Sequence, residues 1–115
     1  PEGCPAFRRA VDHGRPVTVD CKTICDGVAV PYITDEMFPL LNELIDDVIL
    51  LSERSVRSAI RSLLLSNKML AEPSGALALA AAQKLAPAQR GKSACLVTGG
   101  SISFELMLEI LQEDI

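Results

Sequence analysis

The chain has 115 residues, of which 49% are hydrophobic and only 3% aromatic, and its formal net charge is −4. This length corresponds to one small domain, and the composition predicts a core of aliphatic side chains and alanine. Nucleic-acid binding is not expected, because neutralising phosphates requires a concentrated basic surface. A membrane span is not expected either, because no apolar stretch reaches the roughly 20 residues that a membrane helix needs.

The ends and the cysteines predict where the protein works. The chain starts at Pro1 with turn-forming residues and shows no signal-peptide pattern, so we expect a piece of a longer cytoplasmic polypeptide. The cysteines lack the spacing of a disulfide framework, and we expect reduced thiols at Cys4, Cys21, Cys25 and Cys95. A zinc site at Cys21 and Cys25 is disfavoured, since His13 is the single histidine of the chain.

The first half of the chain predicts two helices and a strand. Residues 6–12 have the pattern of a short helix, with Gly14 as its C-cap. Asp35 is expected to cap a second helix with an apolar face made of Met37, Leu40, Leu41 and Leu44. Residues 46–51 form a short run that begins with two aspartates and ends in Val-Ile-Leu-Leu, and its β-branched side chains predict a buried strand.

The second half predicts three helices and a strand. Ser52 is expected to cap a helix that buries Val56, Ile60, Leu63 and Leu64 and exposes Arg54, Arg57 and Arg61. Residues 76–85 are nearly all alanine and leucine, which predicts a buried helix. A strand over residues 94–98 precedes a last helix, which begins near Ser103 and has an apolar face of Phe104, Met107, Leu108 and Leu111. The alternation predicts an α/β fold with mainly parallel strands.

Three polar segments interrupt these apolar surroundings. They contain Asp26–Gly27, Glu72 with Ser74, and Thr98–Ser101, each between a strand-like and a helix-like stretch. In open α/β sheets ligands bind at the carboxyl ends of strands, and Gly99 and Gly100 would let backbone approach a flat or charged ligand. Two plain alternatives remain open: an ordinary glycine turn, and a Glu72 carboxylate that complements the N-terminus of the following helix.

Together the segments resemble one enzyme family. Thr-Ile-Cys-Asp-Gly-Val at residues 23–28, Ile-Asp-Asp-Val-Ile at 45–49, Ala-Glu-Pro-Ser-Gly-Ala at 71–76 and Leu-Val-Thr-Gly-Gly-Ser at 96–101 look like the serine/threonine dehydratases. These are pyridoxal 5'-phosphate enzymes of the tryptophan-synthase-β fold type (fold type II), and serine racemase is a relative. The resemblance implies a three-layer open sheet with flanking helices, and it identifies residues 1–115 as the C-terminal segment of the catalytic domain.

The resemblance also implies site residues. Gly27 matches a glycine packed beside the cofactor ring, and Glu72 matches a glutamate near ring and substrate. Thr98, with Gly99 beside it, matches the hydroxyl residue, usually serine, that hydrogen-bonds the pyridine nitrogen. A neutral hydroxyl leaves that nitrogen largely unprotonated, which favours prompt β-elimination over transamination. The lysine that forms the Schiff base and the phosphate-binding glycine loop are expected upstream of Pro1.

The implied function is β-elimination of threonine or serine to a 2-oxo acid and ammonia, in a homo-oligomeric enzyme. A racemase, a dehydratase of another hydroxy amino acid and a non-catalytic α/β binding or assembly module remain alternatives. Ser101 departs from the family's usual asparagine. Some members bind a divalent cation, but one of the matching positions holds Ala6, so we predict no metal site in this segment.

Overall fold

The computed structural model describes residues 1–113, which contain six α-helices separated by connections of very different length. Two short 3₁₀ turns, at Asp26–Val28 and Ser74–Ala76, and a π-helical turn at Leu63–Asn67 complete the regular structure. No helix in this range is long and apolar enough to cross a membrane. The helices are α1 Ala6–His13, α2 Met37–Leu44, α3 Glu53–Ser62, α4 Leu77–Lys84, α5 Pro87–Arg90 and α6 Phe104–Gln112.

The predicted strands are not present. Residues 46–51 and 94–98 have no regular secondary structure, and residues 1–113 contain no strand at all. A strand exists only where a second segment pairs with its backbone, and here other groups take the carbonyls: Glu2 N–H donates to Leu51 O (2.8 Å) and Lys84 Nζ to Leu50 O (2.8 Å). The expected parallel sheet is therefore not formed within the described part of the chain.

Helix α1 confirms the prediction for residues 6–12. It ends at Gly14, whose φ of 67° lies in the left-handed region and whose N–H bonds back to Val11 O at 3.2 Å. A glycine is favoured there because it has no Cβ to clash in that conformation. The helix buries Ala6 and Ala10.

Helix α3 is the centre of the molecule. Ser52 caps it as predicted, its side chain accepting a hydrogen bond from Ser55 N–H at 3.2 Å. Val56 and Ile60 are fully buried on the face that packs against α4 and α6. The surrounding core is aliphatic and rich in alanine, as the composition predicted; it comprises Cys25, Leu51, Val56, Ala59, Ile60, Leu63, Ala71, Ala76, Ala80 and Ile110.

Helix α4 lies against α3 but is only partly buried, contrary to the prediction. Ala76, just before it, and Ala80 are inaccessible, whereas Gln83 and Lys84 are exposed. The alanines allow this close approach because their side chains are short.

Helix α2 forms where predicted, but its start and its buried face differ. Thr34, and not Asp35, accepts the hydrogen bond from Met37 N–H through its hydroxyl oxygen (3.2 Å). Phe38 is buried and meets the ring of Phe7 edge-on, with centroids 6.3 Å apart. The predicted apolar face stays open because no described element covers it, and the exposed side chains include Met37, Leu40 and Leu44.

Helix α6 begins after Ser103, as predicted, with the serine oxygen accepting from Leu106 N–H at 3.2 Å. Its buried residue is Ile110, while Phe104 on the predicted face is 63% exposed. The prediction of the buried face was wrong because α3 contacts the side of α6 that carries Ile110.

Two arginines of α3, predicted to be solvated, instead hold the end of α6. Arg57 forms ion pairs with Glu109 (3.6 Å) and Glu113 (2.6 Å). Arg61 donates to the backbone carbonyls of Ile110 (3.3 Å) and Glu113 (2.6 Å). A cation stabilises a helix C-terminus because the last carbonyls lack partners within the helix.

The prediction of four reduced cysteines is also wrong. Cys4 and Cys21 form a disulfide with their Cα atoms 4.3 Å apart, and Cys25 and Cys95 are thiols. The backbone brings the pair together, since Lys22 N–H donates to Gly3 O at 2.7 Å. A contact between segments this far apart leaves no pattern in cysteine spacing, so sequence reasoning missed it.

Candidate cofactor site

The turn Asp26–Val28 places Gly27 at one side of the candidate site. A Cβ added at Gly27 would lie 3.0 Å from Ser74 Oγ and 3.5 Å from Glu72 Oε1. The first of the predicted site residues is therefore in close contact with the segment that contains the second.

Glu72 links its own segment to the end of residues 94–100. Its backbone N–H donates to Gly99 O (3.2 Å), and its carboxylate Oε2 accepts from Ser101 N–H (3.1 Å). The same carboxylate lies so close to Gly99 that any Cβ there would overlap it. Gly99 also has a φ of 64°, a second reason why a glycine is favoured at this position.

Gly75 packs directly against the backbone of Thr98. It is buried, and a Cβ at this position would overlap the backbone carbonyl oxygen of Thr98. Thr98 itself is exposed, and the atoms that pack on Gly75 belong to its backbone. The four predicted residues Gly27, Glu72, Thr98 and Gly99 thus lie in one cluster.

Ser74 sits inside this cluster with an unusual environment. Its hydroxyl oxygen is buried and has no hydrogen-bond partner among the described residues. An unsatisfied buried hydroxyl costs about 1–3 kcal/mol.

Sequence reasoning assigned no role to the residues that hold the Asp26–Val28 turn. Thr23 donates its hydroxyl to the carboxylate of Glu53, which also accepts from Ile24 N–H at 3.0 Å, and Cys25 N–H donates to Thr23 Oγ1 at 3.1 Å. Burial raises the pKa of the Cys25 thiol; the polar side chain of Thr23 opposes this rise, and the negative charge of Glu53 adds to it. The hydroxyl of Thr23 lies within one of the recognised segments, which is the signal that could have indicated it.

The remaining candidates are not brought together. His13 is exposed at the end of α1, where its Nδ1 lies 2.7 Å from Arg9 O. Cys21 is in the disulfide and Cys25 is buried away from solvent. Within residues 1–113 no group of three or more histidine, cysteine, aspartate or glutamate side chains is arranged to hold a metal ion.

Two curated relatives align with most of the chain. The L-threonine ammonia-lyase of Geobacter sulfurreducens is 35% identical over 98 residues, which is 84% of this chain and 24% of the relative. The L-threo-3-hydroxyaspartate ammonia-lyase of Pseudomonas sp is 30% identical over 114 residues, or 97% of this chain and 36% of the relative. The chain therefore spans about a quarter to a third of these relatives.

Solved structures share the fold. The threonine deaminase of T.th. superposes with a TM-score of 0.81 at 32% identity, over 90% of this chain and 36% of that structure. Maize serine racemase gives a TM-score of 0.75 at 26% identity, over 95% of this chain and 35% of that structure. The arrangement of helices is thus that of part of a larger domain in these proteins.

The family profile described as "Pyridoxal-phosphate dependent enzyme" matches residues 1–99, which include Gly27, Glu72, Thr98 and Gly99. The match therefore includes the segments that form the cluster, up to Gly99, and ends before Ser101. The chain therefore belongs to the family of pyridoxal-phosphate dependent enzymes.

Proposed function

We propose that residues 1–115 are the C-terminal segment of the catalytic domain of an ammonia-lyase that acts on threonine or serine. The enzyme would eliminate the β-hydroxyl and release a 2-oxo acid and ammonia. The observation that carries the proposal is the convergence of Gly27, Glu72 and Gly99, which come from three separate segments and meet in direct contact. The similarity to threonine ammonia-lyases and deaminases supports the choice of substrate.

The residues present fit pyridoxal phosphate, which is a flat ring with polar edges. Gly27 and Gly99 have no side chain, which lets Ser74 Oγ and the Glu72 carboxylate approach their backbones closely and gathers polar groups at one place. Ser74 offers a buried hydroxyl without a partner among the described residues. Glu72 and Thr98 add a carboxylate and an exposed hydroxyl at the same place.

Each residue has a proposed task. Thr98 would donate its hydroxyl proton in a hydrogen bond to the pyridine nitrogen and so leave that nitrogen largely unprotonated, while Gly27 and Gly99 would pack beside the ring. Glu72 would lie close to the ring and the substrate, and the hydrogen bond that its carboxylate accepts from Ser101 N–H would hold it in place. When bound, the cofactor supplies an electron sink for the negative charge that develops at the substrate's α-carbon.

The rest of the catalytic domain is the proposed partner of this segment. It would carry the lysine that binds the cofactor covalently and the phosphate-binding loop. The number of exposed apolar side chains supports this, because extensive apolar surface indicates a site of interaction. Among residues 1–113, thirteen large apolar side chains are exposed, and those of Leu44, Leu96 and Phe104 are 67%, 78% and 63% exposed. We further propose that the full-length protein is a homo-oligomer, which size-exclusion chromatography will test, and that it is cytoplasmic, which cell fractionation will test.

Two alternatives have specific support. The relative named L-threo-3-hydroxyaspartate ammonia-lyase favours a dehydratase of an acidic hydroxy amino acid, and serine racemase among the similar structures favours racemisation. A non-catalytic α/β binding or assembly module is the alternative outside this chemistry. The substrate side chain is expected to contact residues beyond this segment, so assays must distinguish them.

The test uses the full-length protein reconstituted with pyridoxal phosphate. We expect an absorption band near the visible edge that changes on adding threonine or serine, with release of ammonia and a 2-oxo acid. Thr98→Ala should slow elimination while Thr98→Ser retains it, because serine keeps the hydroxyl. No band after reconstitution would overturn the proposal, and a band that responds to 3-hydroxyaspartate alone would favour the acidic substrate.

A further inference from the structure

Ser74 has a buried side-chain hydroxyl that finds no hydrogen-bond partner within residues 1–113. By contrast, neighbouring groups in the same turn are satisfied. Ala76 N–H donates to Glu72 O (3.1 Å) and to Pro73 O (3.3 Å). Buried hydroxyls nearly always have a partner, so this exception requires an explanation.

The position of the hydroxyl supplies one. Ser74 Oγ is the atom nearest to the Cβ position of Gly27, at 3.0 Å, and Glu72 Oε1 is near the same point at 3.5 Å. Ser74 therefore borders the same glycine surface as the carboxylate. Glu72 does not satisfy the hydroxyl, and its Oε2 already accepts from Ser101 N–H.

A serine side chain can change partner without disturbing the fold. It has three staggered positions about χ1, and rotation between them moves only the hydroxyl. An acceptor brought to the surface of Gly27 would be within the range of such a rotation, whereas an alanine at position 74 would leave that acceptor without a donor.

We propose that Ser74 is a cofactor-contacting residue whose hydroxyl donates a hydrogen bond to bound pyridoxal phosphate. This inference rests on the proposed function. In the absence of the cofactor the hydroxyl is a liability to stability, and binding supplies the missing acceptor. The residue thus couples occupancy of the site to the stability of the Ser74–Ala76 turn.

The experiment compares Ser74→Ala with the parent in the full-length protein, with Ser58→Ala on α3 as control. The dissociation constant for pyridoxal phosphate is measured by titrating the cofactor-free protein, and stability is measured by urea unfolding without cofactor. We expect Ser74→Ala to weaken cofactor binding roughly threefold to tenfold, the effect of one lost hydrogen bond. The same variant should unfold at equal or higher urea without cofactor, and Ser58→Ala should change neither quantity.

Three results would overturn the inference, and they differ in what else they affect. If the parent binds the cofactor and Ser74→Ala binds it equally well, Ser74 has no contact with it, but the proposed function stands. If Ser74→Ala loses stability in the cofactor-free state together with affinity, the hydroxyl has a structural role only. If the parent itself binds no pyridoxal phosphate, both the inference and the proposed function are wrong.

Discussion

Replacing Gly75 with alanine tests the central contact of the site. The new Cβ would overlap the carbonyl oxygen of Thr98 and lie 2.7 Å from its carbonyl carbon and 3.2 Å from Gly99 O. All three atoms belong to the backbone, so no side chain can rotate away. The segment at residues 98–99 would have to move, and overpacking of this kind costs typically about 1–3 kcal/mol.

Part of this cost is offset, because alanine is favoured over glycine in a helical backbone by about 0.5–1 kcal/mol. We therefore expect Gly75→Ala to lower the free energy of unfolding by about 1–2 kcal/mol. Urea titration of the full-length protein measures this change. The absorption band of the bound cofactor should shift in the same variant, since Gly99 moves with Thr98.

Gly100→Ala is the matched control. It lies next to Gly99, in the segment that packs on Gly75, and its nearest contact would be Leu70 O at 3.3 Å, which requires an adjustment of only a few tenths of an ångström. We expect a change within about 0.5 kcal/mol. If Gly75→Ala were as stable as Gly100→Ala, the close packing of Thr98 on Gly75 would be refuted.

Three further predictions concern other contacts. Arg61→Met removes the hydrogen bonds to the last carbonyls of α6 and should lower the free energy of unfolding, measured in urea, by about 2 kcal/mol. Arg54→Met, at an exposed residue of the same helix, should leave it unchanged, and equal effects of the two variants would contradict the role of Arg61. Cys21→Ser removes a disulfide between residues 17 positions apart and should lower the free energy of unfolding by about 3 kcal/mol. The parent protein treated with reductant should unfold at the same urea midpoint as this variant, and a different midpoint would contradict the pairing. Alkylation at mildly alkaline pH, followed by mass spectrometry, should modify the exposed Cys95 well before Cys25, because burial raises the pKa of the Cys25 thiol. Faster labelling of Cys25 would contradict its burial. The raised pKa also means that the protonated thiol contributes stability at neutral pH, and this contribution is lost as the pH rises through the pKa of the folded state.

Local signals in the sequence predicted the helices well. Gly14 ends a helix and Ser52 begins one through interactions with residues three or four positions away, so their roles follow from neighbours in the chain. The site segments were likewise recognisable, because each is a short motif. Local patterns were sufficient wherever the interaction itself was local.

Contacts between distant segments could not be predicted in this way. Which face of α6 is buried depends on where α3 lies, and the helical period alone allowed the wrong choice over Ile110. Arg61 looks like any solvated arginine until the end of α6 is placed beside it. The predicted strands are absent from residues 1–113 for a related reason, because an apolar run becomes a strand only if another segment pairs with it.

In the contact between Gly75 and Thr98, the packing of the fold and the exposed side chain at position 98 use different atoms of the same residue. Packing there uses the carbonyl of Thr98 and the bare α-carbon of Gly75. The threonine side chain takes no part in it and remains exposed. A substitution at position 98 can therefore change the exposed side chain without disturbing this packing contact, whereas position 75 is restricted to glycine by the geometry of the backbone.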